Sequence, residues 1–294
     1  MSAMQNAFAA VGCIVLIALA GTAVYVAGLL RDEHLPLLSK LVIKVALPCM
    51  IVENILGQYT PESLAQNATA LLASFVSVAI TLLLSVPLGK LLRLPKERLG
   101  AFTAMFSFSN SVFIGVPVSR ALFGDAVIPY TLLYYIANTL LFWSAGYMLM
   151  CRWGARGASP KWRLNAPLVV IACCVALVYL RFSPPAFFMD ACGYLGDLVT
   201  PLSLLYTGAT IARMIRARKL RWERGYLAVC AGRFLICPCL LVLCALLLDV
   251  PNATTHVLLV QAGMPVMTQT ALVADSVGAD GEYVAGGMAL TTIL

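Results

Sequence analysis

The chain has 294 residues, of which 61% are hydrophobic and 11% charged, and its mean hydropathy is +0.91. Soluble domains run nearer half apolar and a quarter charged, so lipid is the solvent for most of this surface. This balance excludes a nucleic-acid reader despite the net charge of +7, and it leaves no room for a soluble catalytic domain. The protein is therefore read as no enzyme, with no cofactor and no catalytic metal.

In chain order, Met1 to Asn6 carries no basic residue, and the apolar run behind it is too long for a signal-peptide core, so it reads as a retained first span. Apolar runs follow at 7–29, 36–57, 66–92, 101–123, 126–150, 165–183, 190–212, 225–248, 254–274 and 282–294. These predict an all-α integral membrane protein of ten transmembrane helices. The last run offers 13 residues, too few for a hydrocarbon core about 30 Å thick, so the native chain is expected to continue for about 15 residues or more beyond Leu294. The ten cysteines lie almost wholly inside apolar runs and read as small core residues, not as a disulfide framework.

Basic residues orient the spans, because positively charged loops stay cytoplasmic. The loops after spans one, three, five and seven hold Arg31; Lys90, Arg93, Lys96 and Arg98; Arg152, Arg156, Lys161 and Arg163; and Arg213, Arg216, Arg218, Lys219, Arg221 and Arg224. That is 15 of the 20 basic residues. The opposite face keeps Arg120 and Arg181. Both termini are expected outside, on a multi-pass protein of the cell inner (plasma) membrane. The joint after span nine is acidic through Asp275, Asp280 and Glu282, although it is expected inside; acidic residues weigh little in this rule.

The two halves run in step. Pro48 of span two matches Pro201 of span seven at an offset of 153, and Asp125 after span four matches Asp280 after span nine at an offset of 155. Five spans per half is an odd number, so the second half is inverted relative to the first, as in many secondary transporters. Spans four and nine each carry a polar, glycine- and proline-containing interruption. In the fourth it is Phe106-Ser-Phe-Ser-Asn-Ser-Val-Phe-Ile-Gly-Val-Pro-Val118. In the ninth it is Gln261-Ala-Gly-Met-Pro-Val-Met-Thr-Gln-Thr270. Proline removes a backbone donor and clashes with the preceding turn, so each span is expected to split into half-helices at Pro117 and Pro265. Unwound backbone at that depth is tolerated only where protein or a water-filled cavity covers it, and two matched breaks point to a midplane binding site.

At these residues the chain resembles the auxin efflux carrier family, which includes bacterial members labelled malonate permeases and the plant PIN-FORMED carriers. The stretch Asn110-Ser-Val-Phe-Ile-Gly-Val-Pro117 is similar to the family's Asn-Thr-x-Phe-x-Gly-x-Pro. Lys44-Val-Ala-Leu-Pro48 and Gly263-Met-Pro265 support it, and the likeness extends over nearly the whole chain. Ser109 stands where plant members have the proline of a Pro-Asn pair. The resemblance implies a fold like that of the bile-acid and sodium/proton carriers, with spans four and nine crossing at the site. It further implies a homodimer in which a mobile domain (66–151 and 223–294) slides against a scaffold (1–65 and 160–222), with efflux of auxin-like acids or small carboxylates.

Half-helix N-termini present unpaired N–H groups and partial positive charge, so a small organic anion is the natural ligand. Asn110 and Gln269 can donate and accept, and Asn138, in Tyr134-Tyr-Ile-Ala-Asn-Thr139, is a buried amide that either lines the site or joins helices. Pro117, Gly263 and Pro265 mark the breaks themselves. Lys44 lies about 12 Å into span two at 1.5 Å per residue and is the better counter-charge for an anion; alternatively it snorkels with Lys40. Glu53, the carboxylate well inside the same span, is read either as a proton carrier or as an outer-interface residue. Asp197 and Arg233 are expected to form a structural ion pair between spans seven and eight. Cys237-Pro-Cys239 reads as a kink and not as a soft-metal site. A sodium-coupled symporter of the bile-acid type is the rival from the same fold, and a non-transporting membrane sensor the rival from another class; the loops offer no output domain to the latter.

Overall fold

The computed structural model describes residues 3–154, 166–217 and 222–294. The loop cations Arg156, Lys161, Arg163, Arg218, Lys219 and Arg221 lie outside the described residues, as does the side chain of Asp275. Among the described residues every element is helical and no strand forms. The helices are α1 (Ala3–Val26), α2 (Leu35–Gln58), α3 (Pro61–Gln66), α4 (Ala68–Leu91), α5 (Lys96–Ser107), α6 (Ser111–Phe123) and α7 (Asp125–Trp153). They continue with α8 (Ala166–Tyr179), α9 (Ala186–Gly196), α10 (Val199–Arg216), α11 (Tyr226–Leu247), α12 (Asn252–Ala262), α13 (Gln269–Val277) and α14 (Gly281–Ile293). Among the described residues five segments are long and apolar enough to cross a membrane: α2, α4, α7, the α9–α10 pair and α11. Val15–Val26, Ser111–Phe123 and Val169–Tyr179 are shorter apolar helices.

Proline behaves differently here from the sequence expectation. Pro48, Pro117 and Pro238 do not break their helices. Each follows, two residues on, the end of one widened π-type turn: Val42–Ala46, Ser111–Gly115 and Gly232–Ile236. A widened turn moves the carbonyl that the pyrrolidine ring would strike and absorbs the missing donor, so the helix continues past the ring. The interruption of the fourth apolar run therefore falls at Phe108–Asn110, ahead of Pro117, where Phe108 is extended (φ −105°, ψ 127°). Pro265 does lie inside the interruption of the ninth run, between α12 and α13.

The chain divides into two compact units. The first comprises Met1–Ala68, Val112–Leu132 and Leu164–Arg213; the second comprises Thr69–Ser111, Leu133–Arg163 and Met214–Leu294. In the first unit the Leu47–Gln58 part of α2 packs on α8 and α9, and α1 packs on α6. Two glycines let α1 and α10 meet backbone to backbone. A Cβ on Gly208 would stand 1.8 Å from the Ala18 carbonyl oxygen, and one on Gly21 2.2 Å from that of Leu205. Thr22 Oγ1 donates to the Gly208 carbonyl at 3.0 Å across the same contact. Gly21 thus serves packing within the chain. Gly28 serves another purpose: at φ +78° it ends α1 in the left-handed conformation, with nothing within 4 Å of its missing Cβ.

In the second unit α5 packs on α14 and on the Tyr147–Trp153 end of α7, again through glycine, since a Cβ on Gly100 would meet Met150 Cα at 2.8 Å. Its apolar core gathers Phe102, Met105, Phe106, Val229, Val284 and Met288. The acidic joint before α14 also finds its explanation in this unit. Asp280 accepts from the Tyr283 N–H at 2.9 Å, capping α14, and from Arg98 Nε at 2.8 Å. Arg98 also donates to Glu223 at 2.9 Å and lies 4.8 Å over the Tyr283 ring, which stacks on Tyr226. Burial alone would lower the Arg98 pKa, but its bonds to Glu223 and Asp280 outweigh that and raise it. Three joints of the unit are fastened by one guanidinium.

The α1–α10 contact leaves no space for a methyl group. Gly208→Ala is expected to destabilise the protein by about 1–3 kcal/mol, read as a lower melting temperature in detergent. Gly12→Ala on the same helix α1, where nothing lies within 4 Å of the added carbon, should leave the melting temperature in place; equal losses from both would refute the close-packing account.

Candidate functional site

The two interruptions meet in the second unit. Helix α5 ends at Ser107 and the chain runs extended through Phe108, Ser109 and Asn110; helix α12 ends at Ala262 and the chain stays non-helical to Thr268. The segments pair as a single antiparallel bridge between Ser109 and Val266. Asn110 N–H donates to the Pro265 carbonyl at 2.8 Å, and Met267 N–H donates to the Phe108 carbonyl at 3.1 Å. Each break thus supplies partners for backbone groups that the other has released.

Side chains from three other helices pair further groups. Asn138 of α7 reads both backbone groups of Ser109, accepting its N–H at 3.1 Å and donating to its carbonyl at 3.0 Å; its amide also lies 3.3 Å from Ser111 Oγ. Thr291 of α14 accepts from the Val266 N–H at 3.2 Å while donating to the Gly287 carbonyl at 2.9 Å. Asn110 Nδ2 donates to Thr268 Oγ1 at 2.8 Å, linking the two interruptions by side chains as well.

The third helix is α11, and its contribution is Arg233, which is 0% exposed. Its Nε donates to the Met264 carbonyl at 3.0 Å, Nη1 to the Phe106 carbonyl at 3.2 Å and to Cys237 Sγ at 3.4 Å, and Nη2 to the Ala262 carbonyl. Cys237 in turn donates to the Phe106 carbonyl at 3.3 Å. The Phe106 and Ala262 carbonyls stand at the C-terminal ends of α5 and α12, where a helix leaves them without intrahelical donors, and the Met264 carbonyl lies two residues beyond the end of α12. The expected Asp197–Arg233 pair does not form. Asp197 belongs to the first unit and accepts from Arg120 at 3.1 Å, whereas Arg233 spends its donors on carbonyls. A planar cation with five donors can close two helix ends at once, which a carboxylate partner would prevent. Cys237 is buried and Cys239 exposed, so the two thiols of the Cys-Pro-Cys stretch face apart.

The other sequence candidates divide between the units. Gly263, Pro265, Gln269, Asn110 and Asn138 all belong to the second unit and sit at or beside the interruptions. Gln269 opens α13 with 6% exposure. Its Oε1, the neighbouring Thr270 Oγ1 and Ser107 Oγ are buried oxygens without a hydrogen-bond partner among the described residues. Lys44, Glu53 and Pro117 belong to the first unit. Lys44 is exposed in the widened turn of α2, and Pro117 is buried in α6. Glu53 is half-buried beside Gly193, in the field of Asp197, Arg120 and Asp125. Arg120 joins the two aspartates by hydrogen-bonding both. Sequence reasoning missed Thr268, Thr291 and the capping role of Arg233. The signal for Arg233 was present, as a basic residue inside an apolar run, but its acceptors exist only once two other helices are interrupted.

A multi-pass helical membrane protein in which two interrupted helices pair their released backbone groups has the build found in membrane transport proteins. The sequence matches the membrane transport protein family over residues 7–161 and 164–294. The chain belongs to that family, the family of the auxin efflux carriers, and is a membrane transport protein. It is similar to an uncharacterized transporter of Methanocaldococcus jannaschii, with 22% identity over 286 residues that cover 95% of this chain and 92% of the relative. A second uncharacterized transporter, from Methanothermobacter thermautotrophicus, is 23% identical over 285 residues, covering 96% of this chain and 92% of the relative.

Asn138 is the partner of both Ser109 backbone groups, so Asn138→Leu strands a buried N–H and a buried carbonyl. An uncompensated pair of that kind costs about 2–5 kcal/mol, expected as a large fall in melting temperature. Asn138→Ser, a neutral hydroxyl that can still give or take one hydrogen bond, should lose less than Asn138→Leu; the opposite ranking would show that hydrogen bonding at this position is not what holds Ser109.

Proposed function

We propose that the protein is a secondary carrier of small organic anions, carboxylates or auxin-like indole acids, that works by alternating access around the crossing of the two interruptions, with efflux as its direction. The observation that carries this reading is the paired break. Two interrupted helices, bonded to each other through Asn110 and Pro265 and through Phe108 and Met267, leave Gln269 Oε1, Thr270 Oγ1 and Ser107 Oγ buried and unpaired beside them. The two hydroxyls can donate to a bound carboxylate, whereas the Gln269 amide oxygen only accepts and takes a ligand hydroxyl, a ligand N–H or a water. Helix α13 begins at that point with the partial positive charge of its N-terminus, which suits a carboxylate.

In this reading the ten apolar runs are ten membrane helices in two inverted repeats of five. Asn110 and Thr268, bonded side chain to side chain, stand 158 residues apart, near the offsets of 153 and 155 found along the sequence. Asn110, Gln269, Gly263 and Pro265 form the anion site, with Asn138 and Pro117 shaping the interrupted segment. Lys44 supplies a counter-charge and Glu53 a proton-carrying group on the first unit. Residues 1–65 and 160–222 act as the scaffold of a homodimer and residues 66–151 and 223–294 as the moving body of an elevator, with both termini outside the inner membrane.

Reconstitution into liposomes tests the reading. Purified protein is expected to take up labelled malonate or indole-3-acetate saturably. Asn110→Ala, which removes the bond to Thr268 and one donor from the site, should lower uptake about tenfold, the loss of roughly one charge-assisted hydrogen bond. If no organic anion binds saturably and Asn110→Ala behaves as wild type, the proposal fails.

A further inference from the structure

Among the described residues Arg233 is the only charged side chain in the buried interior, and none of its hydrogen bonds goes to a carboxylate. A buried cation without a counter-ion is costly unless something else balances it. Here the balance is supplied by helix ends. The C-termini of α5 and α12 each carry about half a negative charge on their last carbonyls. Phe106 and Ala262 turn those carbonyls onto the guanidinium, so two halves meet one whole positive charge, and the Met264 carbonyl just beyond α12 adds a third acceptor. Without Arg233 the crossing would present two converging negative helix ends, a cradle of carbonyl oxygens of the kind that holds a hard cation. With it, those ends are silenced and the positive N-terminus of α13 is left to act on the ligand beside Gln269 and Thr270.

We propose that Arg233 is a built-in cation: it fills the carbonyl cradle that would otherwise take a metal ion, and by cancelling two helix ends it makes the crossing selective for anions with no alkali cation required there. The selectivity half of this rests on the reading that the crossing binds an organic anion; the cradle half does not. The reach is sufficient. Met264 lies four residues before Thr268, at most about 14 Å along an extended chain. A unit charge about 12 Å away in a medium of effective dielectric about 20 alters the affinity of an anion about tenfold. Guanidinium suits the task better than ammonium, because it keeps its proton when buried and its planar fork reaches several acceptors at once.

Melting temperature and ligand binding of the full-length protein in detergent decide the matter, with sodium, guanidinium and choline chlorides compared at equal ionic strength. The wild type is expected to melt alike in sodium and choline. Arg233→Gln leaves the three carbonyls short of donors, so sodium or guanidinium should stabilise it relative to choline. Its affinity for malonate or indole-3-acetate should drop about tenfold, with guanidinium restoring part of the loss. Arg233→Lys keeps the charge and should hold affinity within about threefold, below the tenfold worth of the charge itself. A purely structural arginine would move the melting temperature without the cation preference. Sodium stabilising the wild type over choline, or Arg233→Gln melting alike in all three salts, overturns the proposal. If Arg233→Gln does not fold, the lysine variant decides: retained anion affinity without sodium supports the built-in cation, and a tenfold loss in folded protein overturns it. A wild type that binds neither carboxylate counts against the functional reading alone, because the salt comparison reads the cradle without a substrate.

Discussion

A polypeptide that unwinds away from water must find a partner for every N–H and C=O that it releases, and each one left unpaired costs about 1–3 kcal/mol. That constraint organises the second unit. The segments around Ser109 and Val266 pair with each other, and Asn138, Thr291 and Arg233 arrive from three further helices to take further groups. The unit is thereby fastened through its own interruptions.

Two kinds of local device let apolar helices come this close. Widened turns before Pro48, Pro117 and Pro238 carry the helix past a residue that would otherwise break it. Glycines remove the atom that would hold helices apart: Gly21 and Gly208 in the first unit, Gly100 in the second. Apolar side chains gain nothing by leaving lipid for one another, so close backbone approach and hydrogen bonds such as Thr22 to the Gly208 carbonyl carry the association. At one end of the second unit the same economy of groups appears in polar form, where Arg98 serves Glu223, Asp280 and the Tyr283 ring together.

Much of the candidate site is legible along the chain because its residues are improbable where they stand. Ser107, Ser109, Asn110 and Asn138 interrupt runs that lipid would fill with leucine, and Gln269 does the same near the end of the chain. Their types alone point to backbone that needs partners. The position of the break is less legible. Proline suggests it at Pro117, but a widened turn accommodates that ring and the chain opens at Phe108–Asn110, opposite the Pro265–Met267 segment. The partner of Arg233 is not legible either. Asp197 is the nearest guess by charge, yet Asp197 serves Arg120, and the acceptors of Arg233 are main-chain carbonyls that every residue carries alike.

Hydropathy, the distribution of basic residues and the density of small polar side chains determine, by themselves, that this is a multi-pass helical membrane protein with two interrupted segments. Those properties are local: each depends on what a residue is and on its near neighbours in the chain. Tertiary structure decides which groups close the interruptions, because a carbonyl at the end of one helix becomes a ligand for a guanidinium 127 residues away only when folding brings the two together. Whether a buried charge is paired, balanced by helix ends or left free is a property of three-dimensional arrangement, and at Arg233 that arrangement turns a residue resembling half of an ion pair into the clasp of the crossing.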